Sequence, residues 1–339
     1  MNPLISVLTP AYNREKYIGE AIESVQQQTM DEWEMIVIDD GSTDQTVEIV
    51  KAYQAKDKRI ILLQNTENQG ISATRNHGLA HVKGKYIAML DSDDLCLPQR
   101  FEQQFSFLEA HPEIAVLGAW SELIGIKDHQ FTPEEKDTQL RLRSLYRCPM
   151  VHSSTMIRTS ILQAANLRYN KDYPASNDYD FWVRLLPYGQ FHNLQTCLVK
   201  YRRHDQNISV TNKKDQKKYR AAASRLAFKN VLDWEISAEK HERLFDVLTS
   251  AVLHANELSS VEQSMVEMLE RTASRPGLDL NYLKKAVFKK LMDAFQNSNI
   301  SHKKRLEFVR KHQVWKYLPL KTYASVYGKL LLKGAMNKG

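Results

Sequence analysis

Asp91-Ser92-Asp93-Asp94 puts three carboxylates into four residues. They follow the apolar run from Tyr86 to Leu90, whose β character sets them at the C-terminal end of a strand. The three repel one another, and no cation sits beside them in sequence. Hard divalent cations such as Mg²⁺ and Mn²⁺ take oxygen ligands of this kind, usually one or two carboxylates completed by substrate phosphates. A solvated acidic turn has the same composition, because Asp and Ser are ordinary turn formers. What precedes the tetrapeptide decides between the two.

The elements that must position it alternate. Leu4 to Leu8 reads as a strand. Arg14 to Gln27 reads as a helix with Ile18, Ala21, Ile22 and Val25 on one face. Glu34 to Ile38 is a near-continuous apolar run, as in a strand buried on both faces. Ser42 offers an N-cap, and Gln45 completes a capping box. Arg59 to Leu63 is a third strand, Ser72 to Val82 a third helix and Lys85 to Leu90 a fourth strand. A helix follows Pro98, a strand spans Ile114 to Trp120, and Val151 to Arg158 has β character. Asn177 opens a helix, and Gln195 to Arg203 is a last strand. From Lys213 onward the pattern is helical. The expectation is an α/β fold, a mostly parallel sheet covered by helices with a C-terminal α-helical extension. The domains fall at 1–210 and 211–339.

In such sheets ligands bind at the carboxyl ends of the strands. Thr9-Pro10-Ala11-Tyr12-Asn13 follows the first strand, Asp39-Asp40-Gly41-Ser42 the second and the acidic tetrapeptide the fourth. Polar clusters at three strand ends of one sheet edge point to a site. Ser42 and Asp44 can equally be plain helix caps.

The whole chain sets bounds. Of 339 residues, 42% are hydrophobic and 26% charged, ordinary for a globular protein. Cys96, Cys148 and Cys197 are isolated, which excludes a CxxC zinc site or a disulfide framework. The first residues carry no basic segment or apolar core of a signal peptide, and no apolar run nears the ~20 residues of a membrane span. The expected location is the cytoplasm. GxGxxG, P-loop and HExxH motifs are absent. Charge is uneven: residues 281–339 hold 14 Lys+Arg and 2 Asp+Glu, net +12, against net −5 for residues 1–280. A basic tail on an acidic body suits an anionic partner surface.

Four segments in order carry a resemblance. Ser6 to Asn13, Val37 to Asp44, Asn68 to Gly78 and Gly84 to Asp94 together resemble the family 2 glycosyltransferases of GT-A (Rossmann-like) fold, over roughly residues 4–210. The resemblance implies a nucleoside diphosphate sugar donor, UDP by default, a glycan or lipid-linked acceptor, and cell-surface polysaccharide synthesis. It assigns Pro10, Tyr12, Asp39 and Asp40 to the base and ribose, and Arg75 to the nucleotide-sugar, where an Arg can fork onto phosphate. It assigns Asp93 to the metal, with Asp91 on ribose, water or metal and Ser92 beside them on the donor. His204 matches a histidine that completes the metal or diphosphate site. Asp178 matches the catalytic base, with Asp180 as the alternative. The family usually writes Glu-Asp where this chain has Asn177-Asp178. The implied reaction is a single inverting displacement assisted by a divalent cation, Mg²⁺ or Mn²⁺.

Two other function classes share these residues: a different metal-dependent transferase acting on nucleotides, and a non-catalytic sugar-nucleotide or glycan-binding module. The first lacks its usual Gly-rich, basic phosphate loop. The second is at odds with Asp93 and Asp178 both being present. In the extension, Val287, Leu291 and Phe295 recur at helical spacing beside Lys284, Lys285, Lys289 and Lys290. Trp315, Tyr317, Tyr323 and Tyr327 are interleaved with further lysines. Such a stripe fits peripheral contact with an anionic membrane at the inner face of the plasma membrane, or packing within a helical subdomain. Nucleic-acid binding has no motif behind it.

Overall fold

The computed structural model describes residues 3–124, 129–204, 213–250 and 252–318. β1 (Ile5–Ala11) and β2 (Trp33–Asp39) are buried at every residue, as their largely apolar runs suggest. α1 (Ile18–Gln26) buries Ile18, Ala21, Ile22 and Val25, the predicted face. α2 (Thr46–Lys56), β3 (Ile60–Gln64), α3 (Ile71–Leu79) and β4 (Tyr86–Met89) complete the alternation. These four strands pair parallel in the order β3-β2-β1-β4. α3 lies close on the sheet because Gly78 has no side chain: a Cβ there would strike Leu8 Cδ1 and Ile38 Cδ1.

Past β4 the sheet becomes mixed. β5 (Leu95–Cys96), α4 (Arg100–Ala110), β6 (Ile114–Ile124), β7 (Gln130–Phe131), α5 (Asp137–Arg143), β8 (Met156–Arg158), α6 (Thr159–Ala164), α7 (Asn177–Leu185) and β9 (Gln190–Arg202) follow. The full order is β3-β2-β1-β4-β8-β6-β9-β5, with β7 paired to β6. β8 runs antiparallel to both β4 and β6, while β9 is parallel to β6. The continuous parallel run thus belongs to the N-terminal four strands and is broken at β8, with β6–β9 a further parallel pair beyond it. Strand periodicity reports burial, not direction, so β8's direction was not legible. The β character of Val151 to Arg158 is realised only from Met156; His152–Ser154 is a 3₁₀ turn.

The capping box at Ser42 does not form. α2 starts at Thr46, and the Ser42 hydroxyl accepts the Asn13 N–H (2.9 Å) instead. Tertiary pairing of two loops outcompetes the local cap.

The chain divides into two compact units, Met1–Leu140 with Cys148–Ala223, and Arg141–Arg147 with the residues from Ser224 on. The boundary expected near 210 falls in 205–212, outside the described residues. α8 (Lys213–Leu232) crosses the division, and α9 (Ala238–Ser250), α10 (Leu258–Ala273), α11 (Leu280–Gln296) and α12 (His302–Lys311) build the second unit. Val287, Leu291 and Phe295 are buried on α11, so that stripe is core within the unit. Trp315 is exposed; Tyr323, Tyr327 and the lysines from Lys321 on lie outside the described residues. Among the described residues no helix is long and apolar enough to cross a membrane.

Candidate active site

The β1–β2 register pairs Ala11 with Asp39, so the loops after both strands leave side by side. They are stitched together. Asn13 takes a left-handed backbone (φ 53°), which Asn tolerates, and its Oδ1 accepts the Thr43 N–H (2.8 Å). The Arg14 N–H donates to Thr46 Oγ1 (2.7 Å), and the Glu15 N–H to Asp44 (3.1 Å). Burial would raise the Asp44 carboxyl; bonds from Thr46 and Glu15 overcome it and hold the group down. Pro10 is buried at the end of β1, and Tyr12 emerges 41% exposed, its ring available for stacking.

Asp39 accepts the Ser42 N–H (3.2 Å). Asp40 is buried and faces the β3–α3 loop: its carboxylate takes the Asn65 amide (2.7 Å) and the N–H groups of Gln69 and Gly70 (both 2.9 Å). Gly41 makes this possible. Its φ is +75°, and a Cβ would lie 2.9 Å from the Glu67 carbonyl carbon. The acidic turn therefore organises the start of α3 as well as bordering the site.

At the end of β4 the acidic residues diverge. Arg75, buried on α3, donates Nη2 to Asp91 Oδ1 (2.8 Å) and Nη1 to Asn177 Oδ1 (2.6 Å). Burial alone would raise the Asp91 carboxyl, but Arg75 and His152 hold it well below the usual carboxylate range. Asp93 Oδ2 meets His204 Nε2 at 2.9 Å and Arg14 Nε at 3.7 Å. Burial, then the neighbouring Asp91, pushes the Asp93 carboxyl up. Asp94 is fully buried and pushed further up by burial and by Asp93; its Oδ1 accepts the Arg202 N–H (2.9 Å). Ser92 is buried among them.

The donor set suits a hard cation: carboxylates of Asp91 and Asp93, with the His204 imidazole beside them. Among the described residues no group of three His, Cys, Asp or Glu could hold a metal unaided. A cation held here would need further oxygen ligands, of the kind substrate phosphates supply.

Sequence reasoning missed what holds His204. Tyr17 stacks on its ring (4.9 Å, 22°), and Arg202 lies over Tyr17 (5.0 Å) while donating Nε to the Asp93 carbonyl (3.0 Å) and Nη2 to Glu20 (2.8 Å). The run Tyr201-Arg202-Arg203-His204 was the available signal. His152 was missed as well. It is buried, with Nδ1 3.6 Å from Asp91 and Nε2 2.9 Å from the Tyr169 hydroxyl, and an isolated His gives no motif.

On α7, Asp178 lies one residue beyond the Arg75-bound Asn177, half-buried, with Oδ2 accepting from the Cys148 thiol (3.6 Å). Asp180 is buried in an ion pair with Arg184 (2.6 Å), an i, i+4 partner on the same helix. That pairing commits Asp180 and does not involve Asp178.

Polar and acidic loops gathered at the strand ends of such a sheet make an α/β ligand site of the kind enzymes use. Residues 6–162 match the family described as Glycosyl transferase family 2. An uncharacterized glycosyltransferase of Methanocaldococcus jannaschii is 36% identical over 235 residues, 67% of this chain and 80% of that one. TuaG of Bacillus subtilis, named as a teichuronic acid biosynthesis glycosyltransferase, is 31% identical over 64% of this chain and 85% of its own. Among solved structures, S. aureus TarS 1–349 in complex with UDP-GlcNAc superposes with a TM-score of 0.60 at 18% identity, covering 95% of this chain and 90% of that one. The mannosyltransferase PcManGT of Pyrobaculum calidifontis, in complex with GDP-Man and Mn²⁺, does so with 0.52 at 14% identity, covering 100% and 89%. At these identities the structural likeness is one of fold. The chain belongs to glycosyltransferase family 2, and it is a glycosyltransferase.

Proposed function

We propose that the enzyme moves a sugar from a nucleoside diphosphate sugar, UDP by default, to a hydroxyl of a glycan or lipid-linked acceptor in cell-surface polysaccharide synthesis. One observation carries this reading: Arg75 and Asn177 bring the carboxylates at the end of β4 and the Asp178 helix into one site. Tyr12 stacks on the base, bordered by Pro10, Asp39 and Asp40. Asp93, Asp91 and His204 would hold a divalent cation, with Ser92 alongside. When bound, that cation supplies charge neutralisation to the leaving diphosphate.

Asp178 accepts the acceptor's hydroxyl proton as that oxygen bonds to the anomeric carbon. The bond from that carbon to the diphosphate oxygen breaks on the opposite face, so configuration inverts and the nucleoside diphosphate leaves. The nucleotide sugars and Mn²⁺ of the two structural relatives and the naming of TuaG support this assignment. Exposed Lys285, Lys289, Lys303, Lys304 and Arg310, with Trp315, support peripheral contact with an anionic membrane, where a lipid-linked acceptor would lie.

A thermal-shift panel of nucleoside diphosphate sugars with and without Mn²⁺ tests the core reading, since a ligand of the folded state raises its apparent stability. Tm should rise with a diphosphate sugar only when Mn²⁺ is present. No rise with any member of the panel overturns the reading.

A further inference from the structure

Arg75 and Asn76 are consecutive on α3; Arg75 reaches the helix that carries Asp178, and Asn76 the segment that precedes it. The Asn76 amide pairs with the backbone of Tyr169 in both directions, Nδ2 to the carbonyl and Oδ1 from the N–H, each at 2.8 Å. The Tyr169 ring stacks flat on Phe181 (4.1 Å, 8°). Phe181 lies four residues after Asn177, on the same face of α7 one turn along. Arg75 lies over the other part of this assembly, its Cζ 5.3 Å from the Tyr169 ring centroid. Its two terminal nitrogens go to different elements, Nη1 to Asn177 on α7 (2.6 Å) and Nη2 to Asp91 after β4 (2.8 Å).

The Arg75 side chain is only 6% exposed. Burying a guanidinium is costly unless its donors are satisfied in good geometry. The planar fork meets that condition at its two terminal nitrogens, which bridge acceptors fixed on separate elements as a flexible ammonium could not do as rigidly, while the buried Nε meets no hydrogen-bond acceptor among the described residues. Asn177 also makes sense here. As a neutral acceptor it leaves the guanidinium charge to Asp91, and it adds no second anion beside Asp178.

We propose that Arg75 is a positioning residue. It ties Asp91, on the donor side, to the first turn of α7 through Asn177, so that the strand-end carboxylates and Asp178 keep a fixed separation. Asn76, Tyr169 and Phe181 brace the same joint. The inference rests on Asp178 being the base, and it gives Asn177 a role that the usual acidic residue would fill differently.

Cys148 provides a built-in reporter, because its thiol lies 3.6 Å from Asp178 Oδ2 and 3.3 Å from the Met150 carbonyl, two acceptors for one proton. In the full-length protein, the alkylation rate of Cys148 by N-ethylmaleimide, followed by peptide mass spectrometry, reads the position of that carboxylate. Asn177→Ala should raise the rate severalfold, while UDP with Mn²⁺ binds as to the wild type by calorimetry. Asn177→Asp keeps the acceptor oxygen and should return the rate toward wild type. Arg75→Lys should raise it too, and the double variant Arg75→Lys/Asn177→Ala should be no faster than the faster single one, as expected for residues acting as a unit. Unchanged alkylation in Asn177→Ala overturns the proposal. So does Arg75→Lys losing UDP·Mn²⁺ binding with alkylation unchanged, which would make Arg75 a donor ligand. If Arg75→Lys fails to fold, the Asn177 pair decides alone. Sugar transfer surviving in Asp178→Asn would sink the base assignment instead, a result separable from the alkylation rates.

Discussion

Single side chains separate the acids by environment. Asp93 combines a buried carboxyl pushed up by its surroundings with a contact to His204, so it gains most from a cation. Asp93→Asn is expected to abolish transfer and remove the Mn²⁺-dependent rise in Tm; transfer at the wild-type rate refutes the metal assignment. Asp178 and Asp180 sit two residues apart but differ in commitment. Asp178→Asn should lower turnover by roughly 10²-fold or more, the scale of general base catalysis, with UDP affinity retained. Asp180→Asn should instead lower stability by roughly 1–3 kcal/mol, because it weakens the buried bond to Arg184. Steady-state kinetics beside urea denaturation tells them apart. A turnover loss confined to Asp180→Asn moves the base to that residue.

Elements fail through backbone and burial. The turn after β2 needs the left-handed backbone of Gly41 and has no room for a Cβ against Glu67. Gly41→Ala should therefore cost roughly 1–3 kcal/mol and loosen the Asp40 bonds that anchor α3. A variant with wild-type stability contradicts this. On α9, buried His241 meets the Ser224 hydroxyl (2.9 Å), and burial, then Arg225, lowers its pKa to about 4. The unfolded chain takes up this proton near pH 6.5 and the folded chain only near 4. Stability should fall as pH drops through that window and level off below it, by up to about 3 kcal/mol. His241→Gln should flatten the dependence in denaturation curves taken across the window.

At the scale of the whole chain, the second unit is held by residues far along the sequence. Leu283, Val287, Phe288, Leu291, Met292 and Phe295 on α11, with Phe308 and Val309 on α12, are all buried. A chain ending near residue 280 loses that core. It should show reduced helicity by circular dichroism and aggregate; a soluble, fully helical truncation would contradict the packing. Exposed Lys285, Lys289, Lys303 and Lys304 are untouched by this argument. Full-length protein is expected to sediment with anionic liposomes at low salt and to be released at high salt, because screening shortens the reach of such charges. Absence of sedimentation at low salt removes the membrane from the proposed function.

The sequence by itself determined the parallel half of the sheet, the strand-end placement of Tyr12, Asp40 and Asp93, and the family. These are local properties: an apolar run followed by polar residues reads the same in any context. Fold class and helical extension were legible for the same reason, since periodicity encodes which faces are buried. Only the tertiary structure decided that Ser42 serves Asn13 instead of capping α2, that β8 enters antiparallel, and that α11's apolar stripe is core. It alone joined Arg75 to Asn177 across 102 positions, and it gave the direct contact, across 111, between Asp93 and the His204 that the resemblance had assigned to the same site. Such pairs carry no periodic signature. They exist because folding buries charges that must then find partners, and the nearest partner in space is set by the packing of the sheet.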